Sequence, residues 1–128
     1  MEKIYAPVMA ILCLIFVATI LFVFIYAHEL GHYLAGMILN LDPEMTLDFS
    51  NAEFYVSIIY SQNLFDRFLM AFSGGGLGAI VFSLMACGVS KLKMKDSDLF
   101  GMMFIILAVL QLATGIYEIA INNILLLS

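Results

Sequence analysis

The chain has 128 residues, of which 64% are hydrophobic and only 12% are charged, and its formal net charge is −5. Soluble domains average about 45–50% apolar and about 25% charged residues, and a fold of this size cannot bury the excess apolar surface. The composition therefore excludes an ordinary water-soluble domain, and the acidic charge balance gives no indication of nucleic-acid binding.

Three long uncharged segments are each close to the roughly 20 residues that cross a bilayer. With their flanks they predict helices over about 4–39, 66–90 and 98–126, in a single integral membrane domain over 1–128. The first segment is longer than the apolar core of a secretory signal peptide, which is about 7–15 residues. We therefore expect this segment to be retained as a transmembrane helix.

The loop between the first two predicted helices is acidic, and its second half is rich in β-branched and aromatic residues. This strand-prone stretch runs from Ala52 to Tyr60, and Pro43 and Asn51 precede it as turn signals. A short strand or hairpin lying against the membrane fits this pattern better than a fourth spanning helix. The predicted fold is an all-α membrane protein with about three transmembrane helices and a short strand-prone re-entrant or interfacial segment between helices one and two.

The basic residues are distributed unevenly between the two sides of the predicted bundle. One side carries Lys3, Lys91, Lys93 and Lys95, and the other carries Arg67. Because basic residues are concentrated on the cytoplasmic side of membrane proteins, the N-terminus is predicted to be cytoplasmic and the acidic loop external. The expected localisation is multi-pass, in the plasma membrane of a prokaryote.

The first apolar run continues into the motif HELGH, which contains both histidines of the chain. His28 and His32 are four residues apart, so on a helix both imidazoles lie on one face and can bind a single Zn²⁺. Glu29 lies beside them and can accept a proton from the attacking water, as in zinc-dependent peptide hydrolysis. The alternative is a pair of interfacial histidines at the end of a membrane helix, with a solvated Glu29.

Two histidines leave such a zinc site one protein ligand short, and Glu118 in the third apolar segment is the leading candidate. Glu118 belongs to a polar stripe that recurs at three- and four-residue intervals: Gln111, Thr114, Glu118 and Asn122. Helix one reaches His28 after roughly 36 Å and helix three reaches Glu118 after roughly 29 Å from the same side. Both residues are therefore predicted to lie in the same half of the membrane.

Two other acids remain as alternatives for the third ligand. Asp48, with Asp66 behind it, lies in the loop after the motif, and a hairpin could fold back over the zinc. Loop acids more often mark a solvated surface. Glu118 itself could instead mark the outer water interface at the end of helix three.

The second predicted helix contains a dense group of glycines: Gly74, Gly75, Gly76 and Gly78. Glycines at this density favour close helix packing, admission of a substrate backbone, or association between copies or with a partner subunit. Cys13 and Cys87 lack CxxC spacing and are expected to be small core residues.

In its motif and in the order of its parts, the chain resembles the site-2 protease family of intramembrane zinc metalloproteases. The residues that carry the resemblance are AHELGHYLAG at 27–36 and AFSGGGLGAI at 71–80. The resemblance implies that His28 and His32 bind zinc with a distant acid and that Glu29 activates water. The family takes its third ligand from an Asn-Pro-Asp-Gly-type segment that helix three lacks, so Glu118 is assigned by location alone. The family also generally places the metal toward the cytoplasm, opposite to the charge count here.

The predicted function is that of a zinc-dependent endopeptidase, which hydrolyses a peptide bond in or near a membrane segment. Its expected partners are membrane lipid and a membrane-protein or peptide substrate. The alternative is a catalytically inactive membrane protein that keeps a structural zinc site or acts as a binding partner or adaptor. Glu29 favours the enzyme, because a structural zinc site needs no proton acceptor.

Overall fold

The computed structural model describes residues 2–59, 61, 63–92 and 96–124, with side chains described between 7 and 121 within these ranges. Its elements in chain order are α1 (Glu2–Ile38), β1 (Glu44–Asp48), β2 (Glu53–Ser57), α2 (Leu64–Lys91) and α3 (Ser97–Ile124). All three helices are long and apolar enough to cross a membrane. The helix ends lie within about two residues of the predicted ends, except that the predicted end of α3 at 126 lies outside the described residues.

Helix α2 lies between the other two helices and packs against both, whereas α1 meets α3 at few positions. The main core lies between α2 and α3, where Phe82 is fully buried against Phe104 and Ala108. From α1, Val23 and Phe24 pack against this cluster. Sequential antiparallel helices thus give a bundle in which the middle helix positions the outer two.

Glycines allow the three helices to approach most closely at one level. A Cβ on Gly31 of α1 would overlap the Ser73 carbonyl and lie 2.8 Å from Gly74 Cα of α2. A Cβ on Gly75 would lie 2.6 Å from Gly115 N of α3. Because Gly74 and Gly75 are consecutive, α1 and α3 cross α2 side by side, and this brings residues of α1 and α3 together.

The strand-prone stretch provides the second strand of a two-stranded antiparallel hairpin, with Glu44 of β1 opposite Ser57 and Asp48 of β1 opposite Glu53. The sequence indicated the second strand but not β1, whose residues have no strong strand pattern. Tyr60, the predicted end of the strand, lies outside the described residues. Ala52 in the connecting turn has a φ of 55°, which a non-glycine residue adopts only in tight turns.

The hairpin folds back along the second half of α1. Near the end of α1, a Cβ on Gly36 would lie 2.8 Å from Pro43 and 3.4 Å from Ile58. At the turn, the ring of Phe49 stacks on Phe22 with centroids 5.7 Å apart. Gly36 and Phe22 are about 21 Å apart along the helix, so the hairpin covers most of this half.

The first part of α1 has a different environment, because it extends beyond the rest of the bundle. Phe16 contacts Phe100, near the start of α3, with ring centroids 5.8 Å apart. Residues 7–15 lie before this contact and are all exposed. Cys13 here and Cys87 on α2 are both exposed. The prediction that these cysteines are core residues is therefore wrong, because both occupy outward faces of apolar helices.

Candidate metal centre

The HELGH segment lies within α1, which continues without interruption to Ile38. One turn apart on the same face, the imidazoles of His28 and His32 have centroids 4.8 Å apart, and their Nε2 atoms are separated by 3.2 Å. Ala27 and Gly31, on the side of the motif that faces the other elements, are buried. The helical spacing therefore directs both imidazoles into the bundle.

The third residue of this centre comes from α3. Glu118 Oε1 lies 2.8 Å from His28 Nε2, and Glu118 Oε2 lies 3.2 Å from His32 Nε2. One nitrogen or oxygen from each of the three residues lies within 4.8 Å of the other two, as a shared metal ion requires. The predicted juxtaposition of Glu118 with both histidines is thus present in the fold.

The hydrogen bonds at Nδ1 determine which imidazole nitrogens are available. His32 Nδ1 lies 2.7 Å from the Met70 carbonyl, which can only accept, so this nitrogen carries the hydrogen and donates. Gln111 donates its amide NH₂ to the Phe24 carbonyl at 2.8 Å, which directs Gln111 Oε1 toward His28 Nδ1 at 2.9 Å. His28 Nδ1 therefore also donates.

In neutral imidazoles with hydrogen on Nδ1, both Nε2 atoms present lone pairs. These lone pairs face each other and the Glu118 carboxylate, so three acceptors converge on one point. Within the described part of the chain, Glu118 Oε2 is buried yet accepts no hydrogen bond. A proton on one histidine would satisfy a single contact, whereas one metal cation at that point would satisfy all three groups.

Glu29 borders the open side of this centre. It lines a cavity of about 210 Å³ together with His28, Thr114 and Glu118, and with Phe54 from β2. The arrangement provides a space in which a substrate group could meet both the candidate metal ligands and a free carboxylate.

The glycine group of α2 forms the floor of the centre. A Cβ on Gly74 would overlap His32 Nε2 and lie 2.9 Å from His28 Nε2. Gly75 meets α3, and Gly78 lies under the side chain of Gln111. Gly76 differs, because a Cβ there would meet only the ring of Phe72 from its own helix, at 3.2 Å. At three of the four positions, a side chain would therefore overlap the metal centre or the residues beside it, so only glycine fits there.

The alternative ligands lie elsewhere. Asp48 accepts hydrogen bonds from the backbone and side chains of Ser50 and Asn51 in the hairpin turn. Asp66, near the start of α2, accepts from Ser61 Oγ at 2.8 Å. Neither carboxylate belongs to the convergent group of His28, His32 and Glu118. The side chain of Asn122, predicted to line the site, lies outside the described residues.

Two groups of α2 beside the centre, the Met70 carbonyl and the Ser73 hydroxyl, were not predicted from the sequence. The Met70 carbonyl orients His32, and Ser73 Oγ also donates to this carbonyl at 2.7 Å. A backbone carbonyl has no residue-specific signature, so only the position of α2 relative to α1 reveals it. Gln111 was predicted only as part of the polar stripe of α3.

Comparison with known proteins found no match among family models, curated proteins or solved structures. The resemblance to site-2 proteases therefore remains a prediction from the HELGH and glycine segments. The functional argument rests on the geometry of the centre itself.

Proposed function

We propose that the chain is an integral membrane zinc endopeptidase that hydrolyses a peptide bond in or near a membrane segment. The observation that carries this proposal is the convergence of three lone-pair acceptors, from His28, His32 and Glu118, beside the cavity bordered by Glu29. Two histidines and a glutamate, with one position left for water or substrate, are the ligand set of one class of catalytic zinc sites. The same order of segments underlies the resemblance to site-2 proteases.

The residues divide the chemistry between binding and proton transfer. His28, His32 and Glu118 would hold the zinc, which acts when bound as a Lewis acid that acidifies water and polarises a peptide carbonyl. Glu29 would accept a proton from the attacking water and deliver it to the amine nitrogen that leaves as the C–N bond breaks. The carboxylate needs no other partner for this role, and it borders the space where the peptide would lie.

The proposed location is within a bilayer that α1, α2 and α3 cross. Support comes from the length and hydropathy of the helices and from the apolar side chains on their outer faces. The hairpin, whether re-entrant or interfacial, would follow the second half of α1 as far as Phe22. The exposed carboxylate of Asp48 in its turn, which is hydrogen-bonded by Ser50 and Asn51, favours a position that water reaches.

The substrate class follows from the cavity and its surroundings. Apart from Glu29, Thr114 and two of the ligands, His28 and Glu118, the cavity is lined by apolar side chains: Phe24, Ile25 and Phe54. An apolar peptide segment of a membrane protein fits this lining better than a charged peptide. For the orientation, the distribution of Lys and Arg predicts a cytoplasmic N-terminus and a metal centre toward the outside, whereas the family resemblance implies a metal centre near the cytoplasm.

The second candidate function is a structural zinc site in an inactive membrane protein or adaptor. The same three ligands support it, but the cavity beside Glu29 favours the enzyme, because a structural site is closed by a fourth ligand. Substitution of Glu29 separates the two functions, since only the enzyme needs this carboxylate.

The first test is the zinc content of the detergent-purified chain, measured by elemental mass spectrometry. We expect nearly one zinc per chain, lost in His28→Ala and strongly reduced in Glu118→Gln. Asp48→Asn and Asp66→Asn are the matched controls, which should keep the metal. A folded wild-type protein without zinc, under conditions that preserve bound metal, would refute the proposal.

The second test is cleavage of a peptide with an apolar membrane segment. Glu29→Gln should retain zinc and lose about 10²–10⁴-fold in turnover, the typical contribution of general acid–base catalysis. Zinc-loaded protein with the same low cleavage in wild type and Glu29→Gln would favour the structural or adaptor function.

A further inference from the structure

Gln111 is the only buried polar or charged residue among the described side chains, and it has 0% exposure. Its amide joins two points of α1 that are one helical turn apart. The NH₂ group donates to the Phe24 carbonyl at 2.8 Å, and Oε1 accepts from His28 Nδ1 at 2.9 Å. Both hydrogen-bonding ends of the amide are thus used by α1, although the residue belongs to α3.

The space for this side chain is provided by a glycine on α2. A Cβ on Gly78 of α2 would overlap Gln111 Cδ and lie 2.9 Å from Gln111 Cγ. Any larger residue at 78 would therefore displace the amide. A buried polar group that is fully satisfied, in space that only glycine leaves open, has one defined position.

We infer that Gln111 is a positioning residue for the metal centre, which holds the His28 ring with hydrogen on Nδ1 and with Nε2 directed at the metal. This inference rests on the proposed function, because it concerns the affinity of the same zinc site. Without the amide, His28 Nδ1–H would lose its buried acceptor, and the ring could rotate or exchange its hydrogen between the two nitrogens. Groups that orient ligating histidines typically contribute 10–100-fold to metal affinity.

His32 provides an internal comparison. Its Nδ1 donates to the backbone carbonyl of Met70, which no side-chain substitution removes. The orientation of His28 therefore depends on a replaceable side chain, whereas that of His32 is fixed by the backbone of α2. A variant at 111 should affect one ligand and leave the other in place.

The test is the dissociation constant for zinc, measured by chelator competition on folded, detergent-purified protein. Gln111→Met keeps the size and removes both hydrogen-bonding ends, and we expect a 10–100-fold weaker affinity. Gln111→Glu restores an acceptor for His28, and its affinity should lie closer to wild type than that of Gln111→Met. The cobalt absorption spectrum should change in Gln111→Met, because the His28 ligand field is altered.

A second route to the same displacement leaves Gln111 unchanged. Gly78→Ala should push the amide aside and weaken zinc binding to a similar extent. Gly88→Ala on the same helix is the matched control, because a Cβ at Gly88 meets nothing within 4 Å. Its zinc affinity should equal that of the wild type.

The outcomes separate this inference from the proposed function. Wild-type protein that binds no zinc overturns both. Wild-type protein that binds zinc, together with an unchanged affinity and cobalt spectrum in folded Gln111→Met, overturns the positioning role alone. A purely structural role for Gln111 would lower the melting temperature of the zinc-free protein without changing the affinity of its folded form.

Discussion

The two halves of α1 have different surroundings. Residues 7–15 are exposed along their whole length, with Leu14 at 70%, whereas Ala27, Gly31 and Ala35 in the second half are buried. The exposed segment is uniformly apolar, whereas the second half also carries His28, Glu29 and His32. The difference is that the second half carries small residues on one face, and the first half presents bulky side chains in nearly every direction.

Small residues determine where the helices meet, and the meeting point determines where polar residues are stable. Gly31 allows α1 to approach α2, and Gly75 with Gly115 allows α3 to approach α2 at the same level. The polar groups of α1 and α3 lie beside this crossing, where each finds a partner from another helix. In an apolar bundle without a hydrophobic driving force between helices, close packing and hydrogen bonds together locate the site.

The largest expected effect comes from filling the crossing beneath the metal centre. In Gly74→Ala, the added methyl group would occupy the space of His32 Nε2 and approach His28 Nε2, so zinc binding should be lost. Overpacking of this kind also destabilises by about 1–3 kcal/mol. Zinc content and thermal unfolding measure the two effects. Gly88→Ala is again the control, and wild-type zinc content in Gly74→Ala would show that the crossing is not as tight as described.

The next prediction concerns stability without loss of the metal centre, and it compares the core with the exposed half of α1. Phe82 is fully buried, and Phe82→Ala should lower the free energy of unfolding by about 3 kcal/mol. This value is at the low end for such a change, because lipid or detergent solvates the ring in the unfolded protein about as well as the core does in the folded protein. Leu14→Ala should change stability by less than about 0.5 kcal/mol. Unfolding in mixed detergent measures both. A large loss in Leu14→Ala would mean that residues 7–15 pack against another copy or partner.

The smallest expected effect concerns the hairpin turn. Hydrogen bonds from Ser50 and Asn51 hold the pKa of the exposed Asp48 carboxyl below its ordinary value. Because the folded pKa is depressed, the stabilisation is present above the unfolded value and is lost as the pH falls through the folded value. Amide exchange at Ser50 and Asn51 should therefore show protection that decreases below about pH 4, after correction for intrinsic rates.

The matched variant for the hairpin is Asp48→Ala. It should remove this pH dependence and leave the zinc content unchanged, since Asp48 is not part of the metal centre. Exchange at the turn that stays equally protected from pH 6 to pH 3 in the wild type would contradict the role assigned to the carboxylate.

Much of the candidate centre could be predicted from the sequence because its residues are unusual in their surroundings. His28 and His32 are the two histidines of the chain, and Glu118 is a lone acid in an apolar segment. Helical periodicity placed His28 and His32 on one face of their helix and Glu118 in a polar stripe of the third helix. The rise per residue predicted that Glu118 and His28 lie at a similar depth in the membrane. The glycine group signalled a close approach, but not that Gly74 adjoins the histidines and Gly76 does not.

The remaining features depend on how α2 is rotated and where the hairpin lies. Asp48 and Glu118 were both acceptable ligands by composition, and only the fold shows that Asp48 is engaged in its own turn. The Met70 carbonyl became a partner of His32 because the α1–α2 crossing brings it within 2.7 Å. Nothing in the residue types encodes that distance.

By itself, the sequence determined three apolar helices of spanning length, a strand-prone connection and a pair of histidines one turn apart, because these follow from local hydropathy and helical geometry. The tertiary structure alone decided which acid meets the histidines, which nitrogen of each imidazole is free, and that Gln111 lies over Gly78. These features depend on contacts between helices that are distant in the chain. If α1 crossed α2 one residue earlier or later, the imidazoles of His28 and His32 would point away from their present partners.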